Sequence, residues 1–181
     1  DLSGESDTLN LVARNEADAN LDVTDGSNSG VDEFEEVSVE STGTGGTNTL
    51  NVNAGSNVET LTVTGDQGIT LSDSSVELDT SSTNNKGFQN VTTINASAMN
   101  VSAGSLGLDV TLAGNTKDLT FTGSAGDDVL EMDTFGSKID TSDSLTGGLG
   151  TDTLRAGDNN LNTGSSNIDQ VTSGFDRIQV S

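Results

Sequence analysis

Short apolar-x-apolar triplets set in polar, turn-forming sequence recur along the chain. They are LNL from Leu9, LDV from Leu21, VSV from Val37, LNV from Leu50, LTV from Leu61, ITL from Ile69, VEL from Val76, LDVTL from Leu108 and LTF from Leu119. Alternation with period two predicts strands that bury one face. Gly, Asn, Asp and Ser fill the gaps, as turns require, and Val and Thr suit the strands. No segment carries a helical apolar stripe of more than two turns; ARNEADANLD, from Ala13, lacks one.

With only five Phe and no Trp or Tyr, strands this short do not fill a wide sandwich. Stacked coils suit them better, because each coil gives a few inward side chains and covers its neighbour's backbone edge. The expectation is an all-β, right-handed parallel β-solenoid with short strands and Gly/Asp turns. Coils of about 20 residues spaced by roughly 4.8 Å predict about nine coils and a rod near 43 Å. An irregular immunoglobulin-like sandwich is the rival arrangement.

Residues 1–181 are read as one solenoid segment. SDTLNL, from Ser6, followed by VDEFEEV, from Val31, parallels TDTLRA, from Thr151, followed by SGFDRIQVS, from Ser173. The parallel suggests a long repeat in an array from which this segment is excised. The N-terminal residues have neither the basic nor the apolar region of a signal peptide.

Charge narrows the chemistry. Twenty-nine Asp and Glu against six Lys and Arg give a formal charge of −23. No basic patch is available for phosphates or anionic lipid, and no apolar run approaches the roughly 20 residues of a membrane helix, so neither nucleic acid nor membrane insertion is expected. Without Cys or His, the usual zinc, copper and haem sites lack ligands and Ser-His-Asp and Cys-His catalysis is excluded. Oxygen ligands remain, and they suit calcium or magnesium.

Two turns carry that chemistry. GGLGTDTLR, Gly147 to Arg155, fits G-G-x-G-x-D-x-U-x, with U a large apolar residue; GSAGDDVLE, Gly123 to Glu131, fits with Ser124 at the second glycine. Glycines let the backbone turn its carbonyls inward, and an aspartate adds a carboxylate. Each turn supplies part of a Ca²⁺ coordination sphere, and a stacked turn supplies the rest, with Asp128 above Asp152. The candidate metal residues are Gly123, Gly126, Asp127, Asp128, Gly147, Gly150 and Asp152. GTGGTNTLN, Gly43 to Asn51, is a weaker copy with Asn48 in place of aspartate, where weak or no metal binding is expected.

These nonapeptides resemble the repeats-in-toxin (RTX) calcium β-roll, most closely over residues 123–155. The wider layout, with FTGSAGDDVLEM, LTGGLGTDTLRAG, SGFDRIQVS and LTVTGDQGITLSDS, resembles β-helical surface-layer (S-layer) proteins of Gram-negative bacteria, of the Caulobacter type. The resemblance implies type I secretion, calcium-dependent folding and a place in an extracellular lattice at the cell surface. Its partners would be copies of itself, calcium and cell-surface polysaccharide. The nonapeptides here are isolated, whereas a β-roll carries many in tandem.

Other features weigh less. DANLDVTDG, from Asp18, starts like an EF-hand loop, but Val23 stands at the glycine position and Ser29 at the bidentate Glu position. VDEFEEV groups four carboxylates around Phe34; paired carboxylates serve glycoside hydrolysis, yet this pattern reads as a charged outer face. The expectation is a structural, non-enzymatic protein. The alternatives are an RTX-type secreted adhesin or carbohydrate-binding module, and a β-helical polysaccharide-modifying enzyme.

Overall fold

The computed structural model describes residues 7–14, 19–22, 34–53, 58–72, 88, 90–112, 115–132, 139–157 and 172–180, with the side chains of residues 19–22 and 51–53 left aside. Every regular element among them is a strand, and every ladder is parallel. Consecutive strands alternate between two sheets. The first sheet stacks β1 (Thr8–Arg14), β3 (Glu36–Thr42), β5 (Thr60–Gly65), β7 (Thr93–Met99), β9 (Thr120–Thr122), β11 (Ser144–Thr146) and β13 (Thr172–Ser173). The second stacks β2 (Ala19–Asp22), β4 (Asn48–Asn53), β6 (Ile69–Ser72), β8 (Leu106–Thr111), β10 (Asp127–Met132), β12 (Thr153–Ala156) and β14 (Arg177–Val180). This is a parallel β-solenoid in which each coil gives one strand to each sheet.

The alternation in sequence becomes columns in space. On the first sheet Val37, Leu61, Ile94, Phe121 and Leu145 stand in register and are buried. Facing them, Leu50, Leu71, Val110, Leu130 and Leu154 form a second buried column. Each coil covers its neighbour's backbone edge, so hydrogen bonding and apolar burial repeat together along the axis. Phe175 also packs on this core, its ring stacked 6.1 Å from that of Phe121.

Coil length differs from the expected ~20 residues. Leu130 pairs with Leu154 and Leu154 with Ile178, a step of 24, whereas Ile69 pairs with Leu108, a step of 39. The triplets mark strands but not the length of what joins them. Among the described residues seven strands per sheet therefore replace nine coils, and their six spacings of ~4.8 Å span roughly 29 Å.

The apparent long repeat also changes meaning. Asp7 immediately precedes β1, in the first sheet, whereas Asp152 immediately precedes β12, in the second. SDTLNL and TDTLRA thus lie half a coil out of phase. Residues 80–87, from TSSTNNKGFQN, lie outside the described residues, as do most of DANLDVTDG and the start of VDEFEEV. Phe88 is buried in the core and Phe34 is half-buried.

Candidate metal centre

The described connections from the first sheet to the second run along one edge of the rod, and glycine recurs in them: Gly43, Gly45 and Gly46, Gly65 and Gly68, Gly104, Gly123 and Gly126, then Gly147, Gly148, Gly150 and Gly174. The predicted half-sites are two successive members of this stack. The turn at 123–126 joins β9 to β10, and the turn at 147–152 joins β11 to β12. The backbone locks them together, with Gly123 N–H donating to Thr146 O at 2.8 Å and Leu149 N–H to Ser124 O at 3.1 Å.

Asp128 and Asp152 meet as the 24-residue spacing requires. The Asp128 backbone N–H donates to Asp152 Oδ1 at 2.8 Å, and the Asp152 N–H donates to Asp176 Oδ2 at 2.9 Å. Asp128 reaches back one coil further, its Oδ1 accepting from Leu108 N–H at 2.6 Å. Each carboxylate thereby caps the strand that begins one coil earlier, forming an aspartate ladder along the rod. Asp127 clamps from outside: its Oδ1 accepts from Gly104 N–H at 3.0 Å and Thr151 N–H at 2.9 Å, linking three successive turns.

Two glycines in this stack are needed for close approach rather than for unusual dihedrals. A Cβ on Gly147 would stand 2.7 Å from Asp152 Oδ2 and 2.5 Å from Gly174 O. A Cβ on Gly123 would likewise meet Asp128 Oδ2, at 2.7 Å, and Gly147 O. In each case a carboxylate oxygen and a carbonyl of the next coil converge on a bare Cα. Left-handed backbone enters at Gly148 and Gly150, with φ of 113° and 116°.

The two turns are not equivalent. Asp128 and Asp152 are both fully buried, but Asp128 has donors on both oxygens. Besides Leu108, Ser124 N–H reaches Oδ2 at 2.7 Å, and the Ser124 hydroxyl bonds Oδ1 at 2.9 Å and Oδ2 at 3.0 Å. At Asp152 the place of Ser124 is taken by Gly148, which has no hydroxyl. Asp152 Oδ2 is buried with no hydrogen-bond partner. The serine that departs from the nonapeptide pattern thus supplies a hydroxyl donor that the Asp152 turn lacks.

Burial dominates the electrostatics. It raises the Asp128 carboxyl from 3.8 to about 6, against the Leu108 and Ser124 hydrogen bonds that lower it. Burial also raises Asp152, opposed by the Asp128 N–H and reinforced by the negative charges of Asp176 and Asp127. An unpaired buried carboxylate oxygen among like charges is costly, and bound cations are among the groups that relieve such a site. Among the described residues no three His, Cys, Asp or Glu side chains gather tightly enough to hold a metal by themselves. Backbone carbonyls would have to complete a coordination sphere, and calcium accepts them.

No protein-family model, curated protein or solved structure matches this chain.

The weak copy at Asn48 occupies the equivalent place at the start of β4, in line with Ile69 and Leu108. It works in the opposite sense to the aspartates. Its Nδ2 donates to Ala13 O at 3.2 Å, Ser41 Oγ at 2.8 Å and Thr42 O at 3.2 Å, holding carbonyls where aspartates hold N–H groups. Two participants were not singled out by sequence. Asp176 carries a readable signal, because GFDRI repeats the G-x-D-x-U kernel one 24-residue step after GTDTL. Asp143 gives a weaker one: on the opposite edge of the rod it caps Leu119 N–H at 2.7 Å and Asp140 N–H at 2.7 Å.

Proposed function

We propose that this chain is a calcium-stabilised structural segment of an extracellular bacterial surface assembly of the S-layer kind, reached by type I secretion. The observation that carries the calcium part is the orphaned, fully buried Asp152 Oδ2 beside Gly147. Asp152 and carbonyls of the Gly147–Gly150 turn and of Gly174 would hold the ion, with Asp127 and Asp128 adding negative charge nearby. Calcium supplies positive charge and a preference for many oxygen ligands. The chain's own part is to bring the oxygens together on a stacked edge and to exclude water from Asp152.

The role is mechanical and uses no catalytic residue. At a formal charge of −23 stacked coils repel, and a divalent ion turns part of that repulsion into cross-coil bonds.

Thermal melts followed by circular dichroism, with millimolar calcium and with chelator, test the ion. Calcium should raise Tm by several degrees in the parent chain, and Asp152→Asn should remove most of that gain. Equal melting in both buffers rejects the reading. Light scattering on adding calcium tests assembly separately: ordered growth supports a surface lattice, and a persistent monomer favours the adhesin or carbohydrate-binding alternative. One feature suits that alternative, a polar groove of about 460 Å³ lined by Gly46, Asp66, Gln67, Asn100, Ser102 and Ser105 on the glycine edge. A glycan array is its direct test.

A further inference from the structure

The outward face of the first sheet is built differently from the rest of the molecule. Asn10, Ser38, Thr62, Asn95, Thr122, Thr146 and Ser173 stand in register along the rod, one from every strand of that sheet. Beside them run Thr60, Thr93, Thr120 and Ser144. None of these side chains is buried. From β5 to β13 no outward residue of this sheet carries a charge, in a protein with a formal charge of −23. The outward face of the second sheet bears Asp109, Glu131, Arg155 and Arg177. Threonine's preference for strands does not produce this asymmetry, since both sheets share the same coils.

We propose that this hydroxyl array is an ice-binding surface. Its ~4.8 Å repeat from strand to strand lies near the shorter oxygen–oxygen repeat of the prism faces of hexagonal ice, and the ~6.6 Å between alternate residues of one strand falls somewhat short of the longer one. Side-chain ladders of this kind hold a stacked sheet flat. Threonine is stiff at χ1, so its hydroxyl and methyl keep a fixed orientation with little entropy left to lose. The methyls order water beside them while the hydroxyls, each both donor and acceptor, join the water lattice.

Other occupants fit less well. A polysaccharide surface favours aromatic platforms, and this face has no aromatic side chain, nor has the chain any Trp or Tyr. A second copy would have to bury rows of hydroxyls with neither apolar area nor opposite charge in return. Ice needs only the array. The inference does not depend on the calcium reading beyond a folded rod.

The test uses the full chain, shown folded by circular dichroism in calcium buffer, in nanolitre osmometry. The expected result is thermal hysteresis with faceted ice crystals. Thr122→Lys, in the middle of the array, should reduce hysteresis at least several-fold without altering the melting curve, and Thr62→Lys serves if that variant misfolds. Thr70→Lys, on the outward face of the second sheet, should change nothing. Absence of hysteresis and faceting in folded protein overturns the proposal, as does full activity in both array variants. Retention on crystalline cellulose that Thr122→Lys abolishes, without any ice activity, would assign the face to polysaccharide instead.

Discussion

At the scale of single residues, position 124 decides how the coil at Asp128 treats its buried carboxylate. Ser124 gives that carboxylate a hydroxyl and an N–H, and losing a donor to a buried carboxylate costs about 1–3 kcal/mol. Ser124→Gly restores the glycine pair of the nonapeptide and takes the hydroxyl from both Asp128 oxygens, leaving each with a single backbone N–H. The variant should melt below the parent in chelator yet gain more from calcium, as scanning calorimetry in the two buffers would show. Acidity acts through the same groups. Asp128 is raised to about 6 when folded, against 3.8 for an exposed carboxylate, and Asp152 and Asp143 are raised as well, chiefly by burial. Between those values the folded chain binds more protons than the unfolded chain, so stability grows as pH falls from above 6 towards 4 and is lost as pH rises through 6. Lower negative charge works in the same direction. In chelator the urea midpoint should therefore be higher at pH 5 than at pH 7.5, and calcium should narrow the difference. A flat or opposite trend rejects the assignment.

At the scale of elements, strands and turns differ in how readily the sequence displays them. The triplets at Leu9, Val37, Leu61 and Ile69 lie in β1, β3, β5 and β6, because alternation is the direct imprint of a half-buried strand. β7, with Thr93–Met99, was not marked by a triplet: a register irregularity opposite Thr62–Thr64 breaks its alternation. Assignment of strands to one sheet or the other left no local mark either, which is why Asp7 and Asp152 looked equivalent. Coil length depends on what the connections hold, and connections follow no period. Among the turns, Asp128 and Asp152 were readable from their 24-residue spacing, whereas the different status of their oxygens was not. That contrast needs three dimensions, since Ser124 and Gly148 act on carboxylates four residues further on. The glycine edge yields a further prediction. Gly147→Ala places a methyl against Asp152 Oδ2 and Gly174 O and should cost roughly 1–3 kcal/mol, as overpacking does. Gly45→Ala, where a Cβ meets nothing within 4 Å, should leave the denaturation midpoint nearly unchanged. Equal losses at the two positions would mean that the stack is looser than described.

At the scale of the whole molecule, the rod is polarised. Its middle coils are filled by Leu61, Ile69, Leu71, Ile94, Leu108 and Val110, all fully buried. The aspartate ladder begins only at Asp128 and runs through Asp152 to Asp176. In a stack of coils each unit depends on its nearest neighbours, so loss of support at one end need not unfold the other. Hydrogen exchange in chelator should therefore accelerate first in β10, β12 and β14 and leave β5 to β8 protected. Uniform acceleration along the rod would show instead that the ladder sustains the entire fold.

The unequal steps from coil to coil have one last consequence. Axial extent counts strands, because interstrand hydrogen bonds fix the rise at ~4.8 Å whatever the connections contain. The 39-residue step from Ile69 to Leu108 advances the rod no further than the 24-residue step from Leu130 to Leu154. Extra sequence in such a solenoid widens its girth and decoration while its reach stays constant, so reach and ornament can vary independently.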